Sequence, residues 1–283
     1  MHTLELLTGP SNTPVAHQFP GAWPEVRAEQ LPKLALLLAV LEDNMETRLS
    51  LLRFFTGLPA STFAAPHGVP LEDLCTTTEA KGDQPLKVNV LPQLDWCFTP
   101  PDLSPEKPGP AISLLPTVKL NGVVYTGPGD GLDNFAFERF VWVDSLFQRF
   151  AEEANEENLH HWLGAAYQPE SEPWSNEPIE GHAEALKALP HDVKMAAVLN
   201  YRGLRAALAK LYGSVFAHDP TAPAGTTLGL FGMFYDVADG GVFGPVPAVK
   251  KTPMHEVLGY VEHSNQKAHA QQASAPMLDP LPQ

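Results

Sequence analysis

Residues 228–266 read LGLFGMFYDVADGGVFGPVPAVKKTPMHEVLGYVEHSNQ, and their spacing decides the fold class. Apolar residues recur there at three- and four-residue steps in two places, which is typical of amphipathic helices. The first set is Phe231, Phe234, Tyr235 and Ala238, and the second is Met254, Val257, Leu258 and Val261. Thr252 can cap the second helix, and Pro253 suits its first position, where no amide hydrogen bond is lost. The stretch predicts two packed helices joined by a Gly/Pro-rich connector.

The sharpest local signal outside this stretch is at residues 117–126. Asn121-Gly122 separates two strand-like tetrapeptides, as a type I′ hairpin requires, because both central residues need positive φ. The glycine-rich loop after it ends at Asn134, which we expect to be the N-cap of the next helix. A short strand is also expected at residues 86–91. Together these features predict a mainly α, multi-helix globular domain with one small β-hairpin (about 117–126) and long Pro-rich loops.

The same patterns divide the chain into segments. We expect an extended N-terminal arm (1–22), an N-terminal helical pair (23–58), a loop-rich region with the β-hairpin (59–133), a helical core (134–216), a C-terminal helix pair (228–267) and a disordered tail (268–283).

The composition favours a folded, acidic protein. Hydrophobic residues make up 44% of the chain, and 18 Lys+Arg against 33 Asp+Glu give a net charge of −15. Nucleic acid is an unfavourable partner because phosphate binding needs a basic surface. No apolar run is long enough to cross a bilayer, and the N-terminus lacks the basic and apolar regions of a secretion signal. We therefore expect no membrane association and a location in the cytoplasm of the cell that makes the protein.

Reactive constellations are not apparent. Cys75 and Cys97 cannot form a disulfide framework or a four-thiolate zinc site. His160 and His161 are adjacent, whereas helical metal ligands prefer a spacing of four residues. His182 lies in a His-x-Glu sequence, but the downstream Pro-Cys-x-x-Cys of zinc deaminases is missing. We expect no catalytic residue, cofactor or metal, and hence no enzyme; a metal-dependent hydrolase using these histidines is the least favoured alternative.

Aromatic residues are the strongest candidates for partner contact. The helix after residue 134 carries more of them than one buried face needs, so some are expected to contact another protein, while a purely core role is equally compatible. The candidate partner-binding residues are Phe135, Phe137, Trp142, Phe231, Phe234 and Phe243.

Four stretches resemble a family of large, mostly helical proteins encoded by tailed bacteriophages and prophages of Bacteroidota. They are residues 124–140 (VYTGPGDGLDNFAFERF), 161–169 (HWLGAAYQP), 199–205 (LNYRGLR) and 240–244 (GGVFG) ahead of the final Val-Leu-Gly-Tyr helix. The resemblance covers roughly the last two-thirds of the chain. It implies a role in virion assembly, and it offers no catalytic residue to carry over.

Within virion assembly, the preferred hypothesis is a non-enzymatic tail-assembly chaperone. Such a protein would hold apolar helical stretches of a tape-measure chain in the host cytoplasm until tail tube subunits displace it. The alternative is a structural component that stays in the virion, such as a connector or tail-completion protein. The sequence leaves homo-oligomerisation open.

Overall fold

The computed structural model describes residues 1–8, 13–40, 42–58, 76–81, 84–89, 91–98, 110–216 and 229–274. The fold is mainly helical, as predicted, and the described residues contain three small antiparallel sheets where one hairpin was predicted. The chain divides into two compact units. The first unit contains residues 1–115 and 189–206, and the second contains residues 116–188 and 207–283.

In the first unit, the segment expected to be an extended arm is a β-hairpin. Strand β1 (His2–Thr8) pairs antiparallel with β2 (Thr13–Phe19), with His2 opposite Phe19. The expected helical pair follows as α1 (Leu31–Val40) and α2 (Met45–Thr56). A second hairpin joins β3 (Thr76–Lys81) to β4 (Gln84–Asn89), so the predicted short strand exists but has a partner that the prediction lacked.

The ends of α2 follow ordinary capping chemistry. The Asn44 side chain accepts a hydrogen bond from the Thr47 amide at 2.9 Å, and Gly57 ends the helix with φ of 70°. Both features satisfy backbone groups that a helix end leaves unpaired. Arg48 then ties α2 to the 3-10 helix Leu91–Phe98 by donating to the Leu91 carbonyl at 2.9 Å.

The second unit begins with the predicted hairpin. Strands β5 (Thr117–Leu120) and β6 (Val123–Thr126) pair around Asn121 and Gly122, whose φ values are 50° and 82°. A third short strand, β7 (Gln168–Pro169), pairs with the other edge of β6.

The remaining helices follow in chain order. They are α3 (Phe137–Glu152), α4 (Glu156–Ala166), α5 (Ile179–Leu186), α6 (His191–Leu211), α7 (Gly213–Phe216), α8 (Met233–Asp239), α9 (Val246–Lys251) and α10 (Met254–Ser274). Helix α6 contributes residues to both units. No helix in the described residues is long and apolar enough to cross a membrane.

The starts of α3 and α10 are joined by backbone hydrogen bonds. The Phe137 amide donates to the Thr252 carbonyl at 2.8 Å, and the Met254 amide donates to the Phe135 carbonyl at 3.1 Å. The two bonds satisfy amides that a helix start leaves without a partner. Asn134 is therefore not the N-cap of α3, and the Thr252 hydroxyl does not cap α10, because it donates back to the Ala248 carbonyl at 3.0 Å.

The C-terminal region also differs from its prediction. Residues 228–267 were expected to form a helix pair, but the described residues there contain the 3-10 helix Gly229–Phe231 and the three α-helices α8, α9 and α10. The expected disordered tail from residue 268 instead continues α10 to Ser274. The rest of that tail, residues 275–283, lies outside the described residues.

Candidate functional site

Helix α8 has one buried face and one exposed face. Phe234 and Val237 are buried, and the Phe234 ring meets Phe137 of α3 edge-on with 5.4 Å between ring centroids. Tyr235, by contrast, is 59% exposed, and Asp236 and Asp239 are exposed beside it. The packing of Phe234 and Val237 therefore fixes the orientation of the helix that carries Tyr235.

The loop after α8 presents a second apolar side chain. Gly241 and Gly244 have φ of 73° and 82°, a region that favours glycine. Between them Val242 is 61% exposed, while Phe243 turns inward and meets Tyr260 of α10 edge-on at 5.6 Å. We call Tyr235, Asp236, Asp239 and Val242 the α8 surface.

Two further contacts fix the frame behind this surface. Phe231 meets Trp142 of α3 edge-on at 5.2 Å, and both side chains are half-buried. On α9, the Lys250 ammonium donates to a Glu138 carboxylate oxygen at 2.8 Å and lies 5.3 Å from the centre of the Phe234 ring. The segment that carries the α8 surface is therefore anchored to α3 from two sides.

The structure separates the six candidate partner-binding residues into two groups. Phe135, Phe137 and Phe234 are core residues with at most 4% exposure, so in this fold the chain itself covers their side chains. Trp142, Phe231 and Phe243 are half-buried and stay candidates, although each already packs against another ring. The exposed large hydrophobic residues of this region, Tyr235 and Val242, are not among the six.

The glycine-rich loop before α3 serves as an internal brace. The Asn134 side chain accepts from the Gly129 amide and donates to the Gly127 carbonyl, both at 2.9 Å. A Cβ atom added at Gly127 would lie 2.2 Å from the ring of buried Tyr167. This position therefore has no room for a side chain.

Arg139 reinforces the brace from within the core. Its Nη2 donates to the Thr126 carbonyl at 3.1 Å and to the Ala166 carbonyl at 2.8 Å, and its guanidinium lies 4.2 Å from the centre of the Phe135 ring. Burial lowers the pKa of Arg139 to about 10, because a charged group loses solvation there. No carboxylate in the described ranges forms an ion pair with it. Its visible role is to join the end of β6 to the end of α4.

His255 connects this loop to α10. Its Nε2 lies 2.7 Å from the Gly131 carbonyl oxygen and 3.2 Å from an Asp133 carboxylate oxygen. A carbonyl only accepts, so Nε2 carries the hydrogen, and in the neutral ring Nδ1 accepts from the Tyr212 hydroxyl at 2.8 Å. Burial and the nearby Asp133 charge raise the pKa of Tyr212, which keeps this hydroxyl protonated as a donor. We call these bonds, which join Gly131, Tyr212 and α10 at His255, the His255 latch.

The histidines of the hydrolase alternative do not converge on one point. A cleft of about 580 Å³ between α4 and α5 is lined by polar side chains, with His160 and His161 on its α4 side. His182 is not part of that lining, and its Nε2 lies 3.2 Å from a Glu172 carboxylate oxygen. Within the part of the chain that the structure describes, no group of three or more His, Cys, Asp or Glu residues is arranged to hold a metal ion.

The cysteines offer no nucleophile in the described residues. Burial raises the pKa of Cys97 to about 12, so its sulfur stays a neutral thiol. Cys75 lies outside the described residues.

Comparison with known proteins identifies no relative: no protein-family model, curated protein or solved structure matches the chain. The geometry of the α8 surface is therefore the structural observation that bears on function.

Proposed function

We propose that this chain is a bacteriophage assembly protein that binds another polypeptide at the α8 surface and acts by binding alone. The observation that carries the proposal is the exposure of Tyr235 and Val242 on a segment in which Phe231, Phe234 and Phe243 pack against other rings. Aromatic residues held rigidly at a surface are common hot spots of protein interfaces, because they bury a large area and lose little conformational entropy.

The resemblance to tailed-phage proteins supplies the class of partner. We propose that an apolar helical stretch of a tape-measure protein lies across Tyr235 and Val242 in the host cytoplasm. The net charge of −15 would help to keep such a complex in solution. Tail tube subunits would then release the stretch by competing for it. A protein with this role acts before the virion is complete.

Co-expression with the tape-measure and tail tube proteins of the same phage tests the proposal. The wild-type chain should co-purify with the tape-measure protein, and a Tyr235→Ala/Val242→Ser double variant should lose most of that partner. Leu211→Ala is the matched control, since Leu211 is 63% exposed at the end of α6 and should not affect binding. Equal recovery of the partner by all three proteins would rule out the α8 surface.

Mass spectrometry of purified particles then distinguishes the chaperone from a structural component. A chaperone should be absent from finished particles. A stoichiometric amount of the protein in the particle would instead favour the connector or tail-completion role.

A further inference from the structure

We infer that the α8 surface selects a partner helix whose apolar stripe is bordered by lysine or arginine. This inference rests on the proposed function, because it names the chemistry of the polypeptide that the same surface binds. It depends on the two carboxylates that accompany the exposed apolar residues.

The carboxylates lie beside the apolar contact points. Asp239 follows Tyr235 by four residues, so the two side chains share one face of α8, and Asp236 lies next to that face. Both aspartates are exposed, and neither forms an ion pair with any residue in the described ranges. Their charges are available to an incoming molecule.

A helix placed on Tyr235 would bring its bordering side chains close to Asp239, which shares the same face of α8, and to Asp236 beside it. Lysine or arginine at the border gains attraction, whereas glutamate or aspartate meets like charge. The negative charge of the whole chain adds longer-range attraction that increases the association rate. Charge complementarity therefore favours a basic amphipathic helix over an acidic one.

The same charges argue against two other occupants. A twofold contact with a second copy uses the same patch on both molecules, so the aspartates of both copies would enter one interface. The undescribed segments contain a single lysine, Lys107, which follows Glu106, and no arginine, so none of them offers a border of complementary charge. A separate polypeptide with a basic border is the occupant that fits.

Two synthetic helical peptides of about five turns (about 18 residues) provide the probes. They share one leucine stripe and differ only in its border, which is lysine in one peptide and glutamate in the other. In calorimetric titrations into the full chain at about 50 mM salt, the lysine peptide should bind at least about tenfold more tightly than the glutamate peptide. This preference should shrink at about 500 mM salt, where charges are screened.

Matched variants separate the α8 surface from general attraction to an acidic protein. Asp236→Asn/Asp239→Asn should weaken binding of the lysine peptide by about three- to tenfold and reduce its preference over the glutamate peptide. Glu152→Gln/Glu153→Gln changes the net charge equally at exposed positions near the end of α3, and should change affinity less than about twofold. Tyr235→Ala should weaken the binding of both peptides by about tenfold.

Each contrary result has a distinct meaning. Equal affinity for the two peptides, or equal effects of the two charge variants, overturns the inference about the basic border and leaves the proposed function standing. Insensitivity of both peptides to Tyr235→Ala counts against the proposed function itself.

Dimerisation that strengthens in Asp236→Asn/Asp239→Asn would assign the surface to a second copy. Competition by a synthetic peptide of residues 217–228 would assign it to the chain, and either result overturns the inference.

Discussion

Two segments of the second unit are rich in glycine and aromatic residues but use them in opposite ways. Residues 127–140 turn their aromatic rings into the core, and Gly127 is necessary because Tyr167 occupies the space of a side chain. Residues 229–244 keep Tyr235 and Val242 exposed, and a Cβ atom at Gly241 would meet no atom within 4 Å. Glycine is favoured at position 241 because the backbone has a positive φ there. Two segments of similar composition therefore have different roles: one packs its side chains into the core, and the other keeps two of its side chains exposed to solvent.

Substitution of the two glycines should separate these roles most strongly. Gly127→Ala should lower the free energy of unfolding by about 3 kcal/mol, because the buried Tyr167 ring must move to admit the methyl group. Gly241→Ala should cost only about 1 kcal/mol, the strain of a positive φ. Urea unfolding followed by circular dichroism measures both. Similar losses in the two variants would contradict the distinction.

Variants of the His255 latch test how the glycine-rich loop before α3 is held to α10. His255→Phe should cost about 2 kcal/mol, because the Gly131 carbonyl and the Tyr212 hydroxyl both lose a partner. Tyr212→Phe removes only one of these bonds and should cost about 1 kcal/mol. In the double variant the losses should be less than additive, since the two residues share a bond. Full additivity in urea unfolding would show that the latch is not a coupled unit.

The pH dependence of stability tests a contact farther along α10. Glu262 accepts hydrogen bonds from the Ser214 hydroxyl at 2.7 Å and the Ser214 amide at 2.9 Å, and these bonds hold the pKa of Glu262 below its usual value. A lowered pKa in the folded state adds stability above the unfolded-state pKa, and this stability is lost as the pH falls through the folded value.

Glu262→Gln should therefore lower the melting temperature slightly at pH 7 relative to wild type, and this difference should shrink as the pH falls through the folded-state pKa of Glu262. Ser214→Ala, which keeps the amide donor, should produce a smaller change at pH 7. A larger effect of Glu262→Gln in acid than at neutral pH would reverse the expected sign.

The smallest effect on stability is expected at the α8 surface. Tyr235→Ala and Val242→Ser should each change the free energy of unfolding by less than about 0.5 kcal/mol, because exposed side chains contribute little to the core. Phe234→Ala, one residue earlier, should cost about 3 kcal/mol or more because it leaves a cavity. Calorimetric melting of the three variants measures this contrast. A large loss in Tyr235→Ala would mean that this residue supports the fold instead of a partner.

Local sequence patterns were sufficient for much of the fold. The Asn121-Gly122 turn and the helical pair in residues 23–58 depend on short-range rules, and both are present. The prediction lacks the hairpins β1–β2 and β3–β4, although the sequence contains a pattern typical of each. Leu4 and Leu6 alternate with Thr3 and Glu5 in β1, and the Gly-Asp pair at residues 82–83 is a common two-residue hairpin connection.

The orientation of the candidate site could not be read from the sequence. Helix α8 has only seven residues, which is too short for periodicity to decide whether Tyr235 or Phe234 faces inward. The answer comes from Phe137, which belongs to a distant part of the chain. Arg139 was hidden for the same reason, because its two carbonyl partners belong to β6 and α4.

The backbone bridge between the starts of α3 and α10 has a consequence during translation. A ribosome delivers Ala136 long before Pro253, so the Phe137 amide cannot form its bond to the Thr252 carbonyl until α10 begins to be synthesised. During the same interval the apolar face of α3 also lacks its contact with Phe234. We expect the nascent chain to expose apolar surface for much of its synthesis, and to need general chaperones of the cell that makes it until α10 has been synthesised.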